Sequence, residues 1–483
     1  MRPLVSCMVA YMATMQGTAQ QPFDLDPNFR LYDSDNWYIA SVCPLPDGKV
    51  LIAGQFDYPF NMGLNGLARL HPSGFWDYTF EPNNLGMGKI TPWDAGLFYI
   101  ASSQTVRMLL PDGTQDPTFI GMNLGPYFSS VQGGDYHVFP DGRVLMSGAH
   151  ILSDSIRGFE GMYNLVWFSN TGYLDTTRTH RASDGVIYEI EEQPDGKFLC
   201  SGVLTEYEGT PVGKIFRVHP DGALDTSFQT DFVWGEARAF KTLADAHILA
   251  GGYLRRNGQQ DTLCLVRLMP NGDVDPAFHL STFEASWTTS SAPLVRGIHV
   301  LNDGGIVITG FFDHVDGAVR GGISLLDSNG MTSTDAFHGS GCGPFEYMGS
   351  INKSIRHFVP APDGSYYIHG AYHGYDDGTT NDTTQRLVSR LYGLDVGVEE
   401  GRPQAGRLTV APNPASGSAQ VTYDEPLVQT ELILSDAFGR TVRHQAMIGG
   451  TANLELHGVS SGVYHLQLLD RGHYVTRSKL VVQ

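Results

Sequence analysis

One phrase recurs along this 483-residue chain and limits what the chain can become. Its cleanest copy runs from Gln193 to Phe228. It holds a Pro194-Asp195-Gly196 turn, a short apolar strand ending in Gly202, a polar loop, a second apolar strand, a Pro220-Asp221-Gly222 turn and a closing Asp225-x-x-Phe228. The first turn returns at Pro46-Asp47-Gly48, Asp94-Ala95-Gly96, Pro140-Asp141-Gly142, Ala244-Asp245-Ala246, Asn302-Asp303-Gly304 and Pro362-Asp363-Gly364, about 53 residues apart. A period of that size makes each copy one supersecondary unit. Within the turn, Pro presets φ, Asp tolerates the third position and Gly takes the left-handed position that completes a hairpin. The flanking segments, such as Val50 to Ala53 and Ile306 to Thr309, are short and apolar or β-branched, which suits strands. No stretch of twelve residues holds a helical period.

A unit of four short strands cannot bury both faces of its sheet, so each needs a neighbour on either side. Seven units in a ring supply those neighbours and leave only short, protected edges. The expected fold is therefore all-β, a seven-bladed β-propeller followed by a small Ig-like β-sandwich. The seventh unit stops after Arg390-Leu391 without its closing piece, while Asp26-Pro27-Asn28-Phe29 near the start is a closing piece with no opening. The reading is that this early segment completes the last blade, since an open ring would expose an unpaired edge.

The wording of these units resembles the delta-60 repeat family of bacterial beta-propellers. The resemblance covers Phe23 to Leu391 and is closest in the first, fourth and fifth units; it departs at Pro92 to Ala95, at Ala244 to Ala246, and where Thr177-Arg178 replaces the closing Phe. The family brings no known catalytic residues to carry over.

A different text begins after a Gly- and Glu-rich stretch. Leu408 to Gln483 alternates short strands with turns, the pattern of a small sandwich. Pro412-Asn413-Pro414, Gly439-Arg440, Gly462-x-Tyr464 and Lys479 stand there in an order that resembles the type A sorting domain of the type IX secretion system. The resemblance implies a Gram-negative cell, a partner in the type IX machinery, and passage through the periplasm to the outer-membrane surface or the extracellular space. The boundaries read from the sequence are a signal peptide at 1–19, the propeller at 20–395, a linker at 396–406 and the sorting domain at 407–483. The signal rests on Arg2, the apolar run Leu4 to Met15 and the small residues Gly17-Thr18-Ala19. No stretch approaches the ~20 apolar residues of a transmembrane helix.

The formal net charge is −20. From Gly406 onward six basic and six acidic residues balance, so the deficit lies in the body. Such a body repels phosphate backbones, which excludes nucleic acid as the expected partner. Cys43, Cys200, Cys264 and Cys342 lie in separate units without C-x-x-C spacing and read as isolated buried thiols.

No nucleophile elbow, metalloprotease motif or phosphate-binding loop is present. The segments following each strand-ending Gly read as loops gathered on one rim of the ring. They carry Asp57, Asp313, Asp316, His373 and Asp376, whose oxygen and imidazole groups are candidate ligands for a metal, with Ca²⁺ the possible ion; no other cofactor is expected. The same segments carry Tyr58, Phe312, Tyr372 and Tyr375, candidates for stacking on a sugar or a protein partner. The functional expectation is a non-enzymatic binding or adhesion module for a glycan or protein. The alternative is a secreted polysaccharide-acting hydrolase or lyase with carboxylates converging at the channel mouth.

Overall fold

A computed structural model describes residues 21–31, 37–58, 61–81, 83–102, 105–122, 127–288, 291–334, 336–393, 408–423, 430–436, 441–448, 450–470 and 473–483. The signal and linker expectations fall largely outside these residues. The chain divides into two compact units, Met1–Val396 and Gly397–Gln483. Among the described residues both are built of strands, and the helical content is one short 3-10 turn at Asp94–Gly96.

In the first unit, seven antiparallel meanders follow one another among the described residues. Their first strands are Tyr38–Pro44, Ile90–Pro92, Phe128–Val138, Val186–Glu192, Phe232–Thr242, Leu294–Val300 and Ser354–Pro360. In six of the seven junctions, first strands pack on first strands, including Ser354–Pro360 on Tyr38–Pro44. The remaining junction, between the second and third sheets, is carried by the Thr91 hydroxyl donating to the Tyr136 hydroxyl at 2.9 Å and by Lys89 paired with Asp135. The first strands thus enclose the axis of a closed ring.

The recurring turn residues have a direct cause in the backbone. Gly48, Gly142, Gly196, Gly304 and Gly364 sit at φ between 79° and 89°, where a side chain is strained. The fifth unit keeps the turn without Gly: Ala246 adopts φ 68° and its N–H still bonds to the Leu243 carbonyl.

The closing Asp-x-x-Phe is equally legible in atoms. Asp225 accepts from the Ser227 N–H at 3.0 Å and the Ser227 hydroxyl at 2.6 Å with one oxygen. Its other oxygen takes Arg217 at 2.8 Å and Lys197 at 3.1 Å. Arg217 in turn lies 4.7 Å over the ring of Phe228. The same set recurs as Lys49, Arg69, Asp77 and Phe80, and as Arg267, Asp275 and Phe278. In the third unit Trp167 stands where the first, fourth and fifth units have this arginine, and Arg178 takes the place of the closing Phe.

In the seventh sheet the Asp comes from the opposite end of the chain. Leu25 bridges antiparallel to Leu391, the Asp26 N–H donates to the Arg390 carbonyl at 2.9 Å, and the Arg390 guanidinium pairs with the Asp26 carboxylate at 2.9 Å. Phe29 packs edge-on to Tyr367 and Phe23 stacks on Phe337.

The second unit has a three-stranded sheet and a four-stranded sheet sharing one core of Leu408, Val421, Leu432, Leu434, Leu466, Leu468 and Leu480. Asn413 ties the Pro412–Pro414 segment to the last strand, donating to the Lys479 carbonyl at 2.6 Å and accepting from the Val481 N–H at 2.9 Å. Gly462 opens a strand on which Tyr464 is buried, its hydroxyl bonded to the Ser460 carbonyl. Gly439 and Arg440 lie outside the described residues.

Candidate functional site

The strand-ending glycines organise the ring axis, although the strands do not end there. The second strands of sheets one, five and seven run on through Gly54, Gly252 and Gly370 to Tyr58, Arg256 and Asp376. Opposite each such Gly the first strand bulges. The register slips after Ile39, Ile187, Ala237, Val295 and Ile355, which leaves Ala40, Tyr188, Arg238, Arg296 and Arg356 without a partner across the hairpin. The bulge pushes the first-strand backbone onto the second strand. A Cβ on Gly54, Gly202, Gly252, Gly310 or Gly370 would come within 2.0–2.3 Å of a first-strand carbonyl oxygen. Bulges re-aim side chains, and each of these five bulged residues stands fourteen positions before its glycine.

Those side chains meet between neighbouring sheets. Arg356 lies 4.5 Å over the ring of Tyr38, on the first sheet, and Arg238 lies 5.1 Å over Tyr188, on the fourth. Arg238 also pairs with Glu236, whose Oε1 accepts from the Tyr253 hydroxyl at 2.6 Å. Arg296 lies between them in chain order and makes no hydrogen bond or ion pair among the described residues. Burial, then the Arg356 and Arg238 guanidiniums, pull its pKa down to about 9, against the opposing pull of Glu236 and Tyr253. Three cations on consecutive sheets therefore share an incompletely balanced field.

The opposite arc is acidic. Lys89 reaches Asp135 at 3.1 Å and the Tyr136 carbonyl at 3.0 Å, with its side chain 47% exposed. Burial and the nearby Asp135 raise the Glu189 carboxyl well above its ordinary value, with Glu191 adding to the rise and Lys89 and Arg238 opposing it. Lys89 is thus open to solvent while the Asp135 carboxylate beside it is largely covered.

The residues singled out from sequence are placed elsewhere. Phe312, Tyr372 and Tyr375 are fully buried, which corrects their assignment as ligand-facing groups. They lie on strands or against neighbouring sheets rather than in open loops: Tyr372 shares a hydrogen bond with Ser389, and Phe312 packs edge-on to Phe283. Tyr58 ends a strand, and its side chain is outside what the structure describes.

The metal candidates serve local structure. Asp313 accepts from the Ser286 N–H and hydroxyl and pairs with His314. Asp316 accepts from the Thr282 N–H and the Thr332 hydroxyl. Asp376 caps Ser340 and Gly378, while His373 stacks on Phe345 with centroids 4.1 Å apart. Asp57 is half-buried on its strand. No three His, Cys, Asp or Glu among the described residues stand where they could share an ion. The four cysteines are free and buried, and burial raises the thiol pKa of Cys43 to about 11 and those of Cys264 and Cys342 to about 12.

Comparison with known families bears on the two units separately. Residues 45–80, 193–228 and 243–278 match the domain of unknown function (DUF5122) beta-propeller, and residues 409–483 match the secretion system C-terminal sorting domain. The body carries repeats of this beta-propeller family, and the last 75 residues are a sorting domain. That sorting domain directs export by type IX secretion to the cell surface or the extracellular space. No helix among the described residues is long and apolar enough to cross a membrane.

Solved structures similar to this chain include PorZ, a bacterial surface component of the type IX secretion system of Porphyromonas gingivalis, at 11% identity and TM-score 0.36 over 90% of this chain and 64% of that one. The extracellular domain of BT4673 from B. thetaiotaomicron is similar at 12% identity and TM-score 0.45 over 96% and 60%. A protein of unknown function from Bacteroides caccae is similar at 14% identity and TM-score 0.31 over 59% and 91%. The propeller chain thus spans 64% and 60% of the lengths of the first two. No match to a curated protein is found.

Proposed function

We propose that the propeller is a seven-bladed binding module, delivered to the surface by its sorting domain and holding a glycan or protein ligand at the mouth of its channel. The observation that carries this reading is the convergence on one axis of charged side chains from six consecutive sheets: Lys89, Asp135, Glu189, Arg238, Arg296 and Arg356. Five of them stand on first strands and Lys89 directly precedes one, and a rigid scaffold is what a preorganised binding surface needs.

A second reading has one specific observation in its favour. Glu189 is pushed toward its protonated form beside Asp135, and a carboxyl group held protonated next to a second carboxyl group is an element of general acid–base catalysis. The test uses the chain carrying residues 21–483. It is incubated with immobilised polysaccharides and surface proteins, with reducing ends assayed in parallel. Retention on a subset without release of reducing ends is the expected result. Turnover abolished by Glu189→Gln would replace the binding module with the enzyme.

A further inference from the structure

The arginine arc sits oddly in a body that carries the whole of a −20 charge. Arg238, Arg296 and Arg356 occupy the same structural position in three consecutive sheets, each on the bulge that the following glycine makes possible. Two are already oriented, Arg238 by Glu236 and the Tyr188 ring, and Arg356 by the Tyr38 ring. The middle one has no anionic partner of its own among the described residues. A guanidinium does not lose its proton at physiological pH, so Arg296 stays charged in a place where burial and two like charges oppose it. An arrangement that costs stability at a channel mouth and is relieved by an anion is the signature of a recognition site rather than of a structural brace.

We propose that Arg238, Arg296 and Arg356 form the anion-recognition side of the channel and that the ligand is a carboxylate-bearing sugar. The carboxylate lies against the planar guanidinium of Arg296, which matches it in a two-point fork. Sugar hydroxyls donate toward the acceptor oxygens of Asp135 and Glu189 on the opposite arc. That acidic arc is what favours a sugar acid over a phosphate or a long polyanion: a second negative charge would meet Asp135, and the acidic body repels extended polyanions at a distance. The inference rests on the binding-module reading and adds the chemistry of its ligand.

The experiment measures binding of D-galacturonate, D-galactose and L-alanine to the chain carrying residues 21–483 by calorimetry, together with thermal melting. Galacturonate is expected to bind at least tenfold more tightly than galactose. Arg296→Gln is expected to weaken galacturonate by about tenfold or more, the worth of one charge-assisted fork. Its melting temperature is expected to stay the same or rise, because an uncompensated charge has been removed.

Arg255→Gln serves as a control, since Arg255 stacks on Trp234 outside the arc. It should leave galacturonate binding unchanged. Equal binding of galactose, or tighter binding of alanine, overturns the sugar-acid assignment. So does a fall in melting temperature on Arg296→Gln, which would make the residue structural. Absence of galacturonate binding alongside retention on polysaccharides or proteins overturns this inference alone. Absence of both overturns the binding module too.

Discussion

At the scale of single residues, the closing Asp of the first, fourth, fifth and seventh sheets is where charge does structural work. Burial alone would raise the Asp225 carboxyl, but hydrogen bonds from Ser227 and Lys197 and the pairing with Arg217 outweigh it and hold the group well below the usual carboxylate range. A group whose folded pKa is depressed contributes stability that is present above its unfolded value, near 3.9, and is lost as pH falls toward the folded value. Asp225→Asn should therefore cost about 3 kcal/mol at pH 7, because Arg217 and Asp225 are nearly buried and the variant leaves the Arg217 guanidinium without its carboxylate. At pH 3 the gap between the natural chain and the variant should be narrower by about 1 kcal/mol. Urea denaturation at the two pH values measures both numbers, and a gap indifferent to pH would reject the electrostatic account.

At the scale of the element, the hairpin of first and second strands shows how far sequence alone could be read. Proline, aspartate and glycine in the turn are local signals, since each acts through its own φ or its own side chain, and they located the hairpins. The later glycine is not local. Gly252 is needed because Glu236, sixteen residues earlier, bends its carbonyl to 2.2 Å from where a Cβ would sit. Such a contact depends on the register between strands, so the residue looked like a strand end. The same confusion placed Tyr372 and Tyr375 in a loop, when they continue the strand Tyr366–Asp376 past Gly370. It also hid the channel residues, because a bulge is set by pairing and accepts Ala40, Tyr188 and Arg238 alike. A signal did exist in the constant fourteen-residue offset to the glycine.

Gly252→Ala is expected to destabilise the chain by about 1–3 kcal/mol, the range for forcing an extra methyl into a packed interior. It should also disturb Arg238, the bulged residue across from it. Melting together with a titration of the channel ligand reads both effects, and an unaltered melting temperature would mean that the bulge yields without cost.

At the scale of the whole molecule, the ring is closed by residues more than 350 positions apart: Arg30 pairs with Asp382 at 2.6 Å, and the Leu25 N–H donates to the Asp377 carboxylate at 2.6 Å. Asp26 there repeats the role of Asp225, so the closing contact is assembled from the same parts as those of the first, fourth and fifth units, except that its two halves arrive from opposite ends of the ring. An internal unit that loses its Asp keeps its strand tethered by a short turn. The seventh sheet has no such tether, and once the 21–31 segment leaves, the outer edge at Leu391 stands open to pairing with another molecule. A chain lacking residues 21–31 should therefore melt lower by about 5–10 °C and self-associate in proportion to its concentration. Asp26→Asn should lower the melting temperature by less and leave the chain monomeric, since Leu25, Phe23 and Phe29 still hold the edge. Light scattering across a concentration series, run beside calorimetry, separates these outcomes. A truncated chain that melts at the same temperature and stays monomeric would show that the ring does not depend on this closure.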